Sequence, residues 1–295
     1  MIKNKRRIDW ERELTFGIFI VPALLLFIMY FIVPTVTGIY YSLTDWTGLS
    51  RNINFLGFEN YVRLFSDQAF IQSLVFNAWY AVLLVVIIVS VGTILALCLN
   101  SRIRAMTFFR GTLFFPAVLS MLTIGMIFGE IYTRAIPFAA RVLDIEYFQT
   151  SIVSRVSTAP FGVMFTHVWQ GLAIPTVLLL AGLQTIPEEI IEAAVLDGAT
   201  KWQRFWMITV PFLLPVLSVV LILTLRSGLM MFDYVMVMTE GGPAGATRSL
   251  TMNIYNLGFG QLRFGYAIAQ ATVVSLLLIV ISFVQIGFTQ KKKVY

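Results

Sequence analysis

Six long runs of apolar residues alternate with short polar connections along this chain of 295 residues. At a rise of about 1.5 Å per residue, a helix of roughly 20 apolar residues crosses the hydrocarbon core of a bilayer. Prolines inside the runs fit this interpretation, because neighbouring helices can satisfy the carbonyl groups that a proline frees in a membrane bundle. The pattern predicts an all-α polytopic membrane protein with six transmembrane helices, at Thr15–Val36, Ser73–Leu99, Thr112–Tyr132, Phe161–Leu183, Thr209–Met231 and Tyr266–Phe288.

The composition excludes an ordinary soluble domain. Hydrophobic residues make up 58% of the chain, charged residues 12%, and the mean hydropathy is +0.84, whereas a soluble domain carries roughly 25% charged residues. The net charge of +6 does not indicate nucleic-acid binding here, because basic residues anchor membrane helices at one face. One cysteine, Cys98, excludes a disulfide within the chain. The first apolar run is too long for a cleaved signal peptide, so we expect it to be retained.

The distribution of lysine and arginine predicts the orientation. With the N-terminus in the cytoplasm, thirteen basic residues lie in inside segments and seven in outside segments, which agrees with the excess of positive charge found at the cytoplasmic side. We therefore expect a multi-pass protein of the cell membrane with both termini in the cytoplasm. The predicted parts are a basic N-terminus at 1–14, a transmembrane domain at 15–288 and a basic tail at 289–295.

The densest cluster of charge is EEIIEAAVLDGATKWQRFWMITVP, which begins at Glu188 in the second inside loop. Pro187 favours the start of a helix, and Glu188, Glu189 and Glu192 occupy first turns where the helix dipole favours negative charge. Asp197 and Gly198 then predict a bend before a second short helix. From charge alone, an ordinary solvated loop explains this segment, 187–208, about as well as a docking element does.

The spacing of this loop resembles a family signature. EAA is followed by three residues and Gly198, then by nine residues and Ile208, and then by Val210 and Pro211. This is similar to the EAA loop of binding-protein-dependent ABC importer permeases, and its place before the second-to-last span also fits. LGFENYVRLFSDQAFIQSLVFNAWY, RGTLFFPAVLS, VWQGLAIPTVLLLAGLQTIPEEIIEAA and FDYVMVMTEGGPAGATRSLTMNIYNLGF extend the resemblance over nearly the whole chain, towards the maltose-permease-like carbohydrate subfamily.

The resemblance implies a type I ABC importer permease fold and a set of partners. An extracytoplasmic solute-binding protein would deliver a sugar, an oligosaccharide or a sugar derivative to two permease subunits, which in this subfamily are commonly different chains. Two cytoplasmic ATPase subunits would hold ATP and Mg, and this chain would bind no cofactor. Glu192 would engage the ATPase, Ala193 and Ala194 would lie close against it, and Gly198 would permit the turn. The coupling residues are therefore Glu188, Glu189, Glu192, Ala193, Ala194, Asp197 and Gly198.

No enzyme site is evident in the sequence. The P-loop pattern G-x-x-x-x-G-K-[ST] is absent, so ATP hydrolysis is expected in a separate subunit. No nucleophile stands beside a base, and catalytic residues are therefore not assigned. The lone histidine, His167, lacks the cysteine or second histidine that a metal site needs, and we interpret it as a hydrogen-bonded residue of the bundle.

Polar groups inside spans are costly and often line a pathway. Arg226 needs a partner or a wet cavity, and Asp233 lies seven positions on, two helical turns away on the same face. Either the two form a structural ion pair, which we favour, or Arg226 meets an anionic solute. Bundle packing is the alternative role for the other path candidates. The candidate path residues are Asn77, Tyr132, Trp169, Gln170, Arg226, Ser227, Asp233 and Tyr234.

Two rival functions remain open at this point. An ion-coupled secondary transporter or a channel would also be a polytopic helical bundle, but it often shows inverted repeats and ion-coordinating broken helices, and the sequence shows neither clearly. A membrane enzyme would need a catalytic constellation. Whether the purified protein carries a separate ATPase subunit distinguishes the importer from the secondary transporter or channel, and no catalytic constellation for a membrane enzyme is evident.

Overall fold

The computed structural model describes residues 10–101 and 106–290. Every regular element within these ranges is helical and no β-strand forms there, which confirms the predicted fold class. Basic residues predicted to mark the inner face at 3–7, 102–104 and 291–293 lie outside the described residues. The α-helices are α1 (Trp10–Phe27), α2 (Val33–Ser42), α3 (Glu59–Leu64), α4 (Gln68–Asn100), α5 (Met106–Val118), α6 (Met121–Glu130), α7 (Ile136–Val142), α8 (Ala159–Gly171), α9 (Ala173–Leu183), α10 (Glu188–Leu196), α11 (Lys201–Arg204), α12 (Val210–Leu229), α13 (Asp233–Met238), α14 (Leu250–Tyr255) and α15 (Phe264–Gln290).

Four stretches of helix are long and apolar enough to cross a membrane as they stand, and two more spans are bent pairs. Span 3 joins Thr107–Val118 to Met121–Val142 at 99°, and span 4 joins Ala159–Gly171 to Ala173–Leu183 at 44°. Counting each pair as one span gives the six that the hydrophobic pattern predicts. The spans without such a bend are span 1 (Gly17–Ser42), span 2 (Gln68–Asn100), span 5 (Lys201–Met238) and span 6 (Phe264–Gln285), although span 5 leaves the helical conformation at 230–232.

The predicted spans 3 and 4 were single segments, and both are broken in the structure. In span 4 the break falls at Leu172, where Pro175 has no N–H to donate to the carbonyl of Gly171, four residues earlier. In span 3 the break follows Pro116 by three residues, and Ser120 adopts an extended backbone with ψ of 138° before the next helix begins. Hydropathy alone does not register these bends.

The bundle is held together by close approach of spans 2, 4 and 5. A Cβ added to Gly228 on span 5 would lie 2.8 Å from the Cα of Ala81 on span 2. A Cβ on Gly182 of span 4 would lie 2.9 Å from a methyl group of Leu213 on span 5. Small residues at such positions let the backbones of membrane helices pack closely. One large buried cluster fills the middle of the bundle, and it includes Tyr80, Leu84, Ile124, Val163, Tyr234 and Val235.

Span 1 lies at the edge of the bundle. Its second half, α2, packs against α15, where Gly38 faces Ile268. None of its most apolar stretch is buried within the chain, and Phe19, for example, keeps most of its surface exposed. This helix therefore presents its apolar surface to lipid or to another subunit.

The segment between spans 1 and 2 is pinned to both. Asn60 on α3 donates through Nδ2 to the carbonyl groups of Ser42, at 2.8 Å, and Thr44, at 2.9 Å. Asp45 accepts hydrogen bonds from the side chain and the backbone N–H of Asn54, and these bonds hold the pKa of the Asp45 carboxyl below its usual value. Asp67 then caps span 2, because its Oδ1 accepts from the backbone N–H groups of the first turn.

Candidate coupling loop and translocation site

The charged loop folds as two short helices joined by a capped turn. Helix α10 begins at Glu188, with Pro187 as the extended residue before it, so the predicted start is correct to within one position. At its other end, the N–H of Gly198 donates to the carbonyl of Val195, and the N–H of Ala199 donates to that of Ala194. This pair of bonds is a Schellman motif, and Gly198 supplies the positive φ, +77°, that the motif requires.

Gly198 has open space around the position of a side chain. A Cβ built there meets nothing within 4 Å. A substitution at this glycine therefore strains the backbone, because an L-residue rarely adopts that φ, but it collides with nothing in the described part of this chain. We predicted that Gly198 allows the chain to turn here, and its positive φ agrees with that prediction.

The predicted coupling residues on α10 project from the bundle. No residue of this helix is buried. Glu188 and Glu192, one turn apart, line a cleft of about 530 Å³ together with Asn100 from the end of span 2 and Gln184 and Thr209 from spans 4 and 5. Glu189 and Ala193 are exposed, while Ala194 is half-buried, and Asp197 is exposed at the turn. The loop brings all seven predicted coupling residues onto one projecting helix and its cap.

The second helix of the loop continues directly into span 5. Thr200 caps it by accepting from the N–H of Gln203, and the Gln203 side chain accepts from the N–H of Thr200. A single π turn at Phe205–Thr209 then joins α11 to α12 without a gap. The predicted start of span 5 at Thr209 is therefore late, since helix runs from Lys201. The loop is therefore joined to span 5 by one uninterrupted run of helix.

Span 5 unwinds at its far end. Helix α12 ends at Leu229 and α13 begins at Asp233, which leaves carbonyl groups at the break without helical partners. Asn77 of span 2 donates to the carbonyls of Gly228, at 3.2 Å, and Leu229, at 2.8 Å. Side chains from elsewhere in the fold thus satisfy backbone groups that water cannot reach in a membrane.

Two more hydrogen bonds connect this break to α14. Thr251 at the start of α14 donates to the carbonyl of Met231 at 2.6 Å. The N–H of Leu250 donates to Oδ1 of Asn77 at 2.9 Å. Asn77, a predicted path residue, is fully buried and has its amide engaged on both sides. Asn77 therefore connects span 2 to the break and to α14 by hydrogen bonds.

Gln170 forms a second bridge, between span 3 and span 5. Its Nε2 donates to the carbonyl of Leu119 at 2.8 Å, at the bend of span 3. Its Oε1 accepts from the hydroxyl of Tyr234, on the helix that follows the break in span 5. Two predicted path residues, Gln170 and Tyr234, are thus brought together, and they link two helix breaks.

His167 links three spans, which agrees with its predicted role as a bundle residue. Its Nδ1 lies 3.2 Å from the hydroxyl of Tyr80 on span 2, and its Nε2 lies 2.8 Å from Oγ of Ser227 on span 5. Tyr132, another predicted path residue, instead pairs with Thr166 at 3.3 Å. Tyr80, Thr166 and Thr251 were not predicted, because nothing in their sequence neighbourhood marks them; only the tertiary contacts do.

A cavity of about 330 Å³ opens at the break in span 5. Four predicted path residues, Arg226, Ser227, Asp233 and Tyr234, lie in its wall. The rest of the wall is His167 and apolar side chains of span 5 and of the start of α6. The cavity therefore combines one guanidinium group, one carboxyl group, hydroxyl groups and apolar side chains.

The prediction that Arg226 and Asp233 form an ion pair is wrong. Within the described residues the ion pair that forms is Glu130 with Arg134, one turn apart on an exposed surface. The prediction assumed a continuous helix from 226 to 233, but α12 ends at Leu229, so the two residues do not share a helical face. Both line the cavity without pairing, and Arg226 is exposed.

Trp169 lies away from this cavity. It lines a separate apolar cleft of about 450 Å³, bounded by spans 2, 3 and 4 and including Cys98, Phe109 and Pro116. Its ring centroid is 5.3 Å from that of Phe128. The predicted path set therefore divides into cavity residues, bridging residues and this outlying tryptophan. Among the described residues, no group of three or more His, Cys, Asp or Glu side chains could hold a metal ion.

A bundle of six spans, with an exposed helical loop at one end and broken helices around a polar cavity, is the architecture of a membrane transport permease. The chain belongs to the family of binding-protein-dependent transport system inner membrane components, whose profile matches residues 88–294. The expected family membership is thereby confirmed.

Sequence relatives and solved structures agree with this assignment. The chain is 39% identical to the multiple sugar-binding transport system permease protein MsmF of Streptococcus mutans, over 94% of this chain and 95% of that protein. It is 32% identical to a probable starch degradation products transport system permease protein, AmyD, of Thermoanaerobacterium thermosulfurigenes, over 97% of each. A bacterial ABC transporter that imports the acidic polysaccharide alginate has the same fold, with a TM-score of 0.82 at 17% identity over 96% of this chain and 97% of that one.

Proposed function

We propose that this chain is the translocating permease subunit of an ATP-driven importer, and that its solute is a sugar, an oligosaccharide or a sugar derivative. Family membership supports the transport role, and the names of its relatives support the carbohydrate class. The projecting helix α10, with no buried residue and a direct helical path from its partner α11 into span 5, is the observation that carries the coupling role.

The partners follow from this proposal. An extracytoplasmic binding protein delivers the solute, and a second permease, a different chain, completes the pathway. Two ATPase subunits bind ATP and Mg and dock on the coupling loops, while this chain holds neither. Both termini lie in the cytoplasm, as the asymmetry of lysine and arginine supports. Closure of the ATPases moves α10 and α11, and the motion enters the bundle through span 5.

The cavity at the break in span 5 is the proposed solute site. Arg226 offers a planar set of donors and Asp233 offers acceptors, and the two charges balance. Hydroxyl groups of a sugar can donate to the carboxylate and accept from the guanidinium, while Phe232 and the methionines of the wall meet its apolar face. Gln170 and Asn77 act as bridges that hold the cavity's shape, and Tyr132 and Trp169 pack outside it.

A secondary transporter is the alternative function that must be considered, because broken helices in such transporters can coordinate ions. Here, however, Asn77, Thr251 and Gln170 occupy carbonyl groups at the breaks. Those carbonyls are engaged by the protein's own donors, and the family assignment supports an importer energised by a separate ATPase.

The coupling role is tested by substituting the loop. Glu192→Lys and Gly198→Leu are expected to abolish solute uptake while leaving the protein in the membrane. A reversed charge at an interface leaves partners unpaired, and a bulky residue at Gly198 projects towards the ATPase. Uptake and ATPase co-purification are measured on the same membranes.

Gly57→Leu is the matched control. Gly57 also has a positive φ, +59°, and nothing but the ring of Phe55 near its Cβ position, so it shares the backbone strain but lies at the other end of span 2. Uptake should survive this change. Normal uptake by both loop variants, with the ATPase bound as in the parent, would show that the loop does not couple.

A further inference from the structure

Helix α3 has two unlike sides. At about 3.6 residues per turn, Asn60 and Leu64 fall on one side, and both are buried against the bundle. Phe58, Val62 and Phe65 fall together on another side and are 73%, 68% and 84% exposed. Three large apolar side chains on one exposed face form a patch, whereas single exposed apolar residues are ordinary.

A third side of α3 is polar. Glu59 and Arg63 lie one turn apart, next to the apolar patch, and both are exposed. The guanidinium carbon of Arg63 lies 5.3 Å from the centroid of the Tyr266 ring, and that of Arg263 lies 5.0 Å from the same ring. Two arginines are therefore held close together where spans 2 and 6 begin.

The exposure of the apolar patch does not come from a loosely held helix. The buried side of α3 is anchored by Asn60, which donates to the carbonyl groups of Ser42, the last residue of α2, and of Thr44. Tyr61 adds a second anchor, since its hydroxyl lies 2.6 Å from Oγ of Ser42. Leu64 packs in a cluster with Phe70 and Tyr266. The fold thus holds Phe58, Val62 and Phe65 in a fixed outward direction.

We propose that α3 is an in-plane lipid anchor, in which Phe58, Val62 and Phe65 insert into the membrane leaflet at the end of the bundle opposite the coupling loop. The helix connects the end of span 1 to the start of span 2, and Phe65 precedes the first residue of span 2 by only three positions. It therefore lies at the membrane boundary.

The division of its exposed surface also favours lipid over a protein partner. An interfacial helix carries an apolar side towards the acyl chains and a charged side towards water. Here the two sides are adjacent, with Arg63 at the level of the headgroups, where a guanidinium can bind phosphate. A solute-binding protein approaches from water and would meet Glu59 and Arg63 rather than the aromatic side.

Depth measurements by electron paramagnetic resonance test this proposal. Single cysteines replace Phe58, Val62 and Phe65 in turn, in the full chain with Cys98→Ala, and Glu59→Cys and Arg63→Cys are the matched controls on the same helix. Each cysteine carries a nitroxide, and the protein is placed in nanodiscs of phosphatidylethanolamine and phosphatidylglycerol. Collision of the label with oxygen, which concentrates in acyl chains, is compared with collision with a water-soluble nickel chelate.

The expected result is a depth of about 5–10 Å inside the headgroup boundary for the three apolar positions, and ready access of the nickel chelate at Glu59 and Arg63. All five side chains are exposed, so the substitutions remove little packing. Access of the nickel chelate at Val62 and Phe65 would overturn the proposal, because the face would then lie in water. Low access of both reagents there would also overturn it, since a protein surface would then cover the patch.

Discussion

The coupling loop and the break in span 5 are both interruptions of membrane helices, yet they are stabilised in opposite ways. The loop closes its turn with hydrogen bonds between residues three to five positions apart, and α10 buries none of its side chains. The break is closed by Asn77, which bonds to Leu229 across 152 positions of sequence. Local capping leaves the side chains of α10 unburied, whereas caps from distant residues hold the break within the bundle.

Labelling from the two sides of the membrane should separate the two regions completely. In a Cys98→Ala background, Leu196→Cys on α10 is expected to react with an impermeant thiol reagent only from the cytoplasm. Ala244→Cys, in the loop before α14, should react only from outside. Both positions are exposed in the structure, and Ala244 already has a positive φ of 50°, so the cysteine adds no new backbone strain. Reversed labelling would refute the proposed orientation.

Asn77→Leu is expected to cause the largest loss of stability. It leaves the N–H of Leu250 and the carbonyl of Leu229 buried without partners, and each such group costs about 1–3 kcal/mol. Thermal unfolding in lipid nanodiscs measures the loss. Asn100→Leu, on the same helix but exposed at the coupling end, should change the melting temperature little. Equal effects of the two changes would mean that the caps at the break do not hold the bundle.

Arg226→Gln and Asp233→Asn should each reduce uptake about tenfold or more, because one lost hydrogen bond to a charged group is worth about 1.5–3 kcal/mol. Since the two side chains do not pair, the double variant should fall below either single one. Solute uptake into vesicles, with folding checked by melting temperature, measures this. Rescue of Arg226→Gln by Asp233→Asn would contradict this prediction, because it would show that the two native side chains form an ion pair.

Replacing a capping side chain by alanine should affect stability unequally in the two regions. Ser249 is fully buried and caps α14, accepting from the N–H of Met252 at 3.2 Å. Thr200 caps the exposed α11. Each alanine substitution removes about 0.5–2 kcal/mol from its own helix. Ser249→Ala should lower the melting temperature of the whole chain, whereas Thr200→Ala should only accelerate amide hydrogen exchange in α11. A global loss from Thr200→Ala would contradict the local character of the loop.

The sequence predicted the features that local pattern encodes. The six spans follow from apolar runs, and the turn at Gly198 follows from the only residue type that readily takes its φ, so both appear in the structure as expected. The bends in spans 3 and 4 were missed because a hydropathy profile contains no information about the direction of the helix axis. The pairing of Arg226 with Asp233 failed because the unwinding at Met230 depends on Asn77 and Thr251, which are remote in sequence.

The caps of span 5 also impose an order on biogenesis. Asn77 precedes the break by about 150 positions, but Thr251 follows Met231 by twenty. While the ribosome is still synthesising span 5, the donor that satisfies the Met231 carbonyl does not yet exist. Until α14 folds back, the Met231 carbonyl must find another donor, either a helical N–H or water. The break that shapes the cavity receives its last hydrogen bond only when α14 folds back on the bundle. The cavity is therefore among the last parts of the molecule to form.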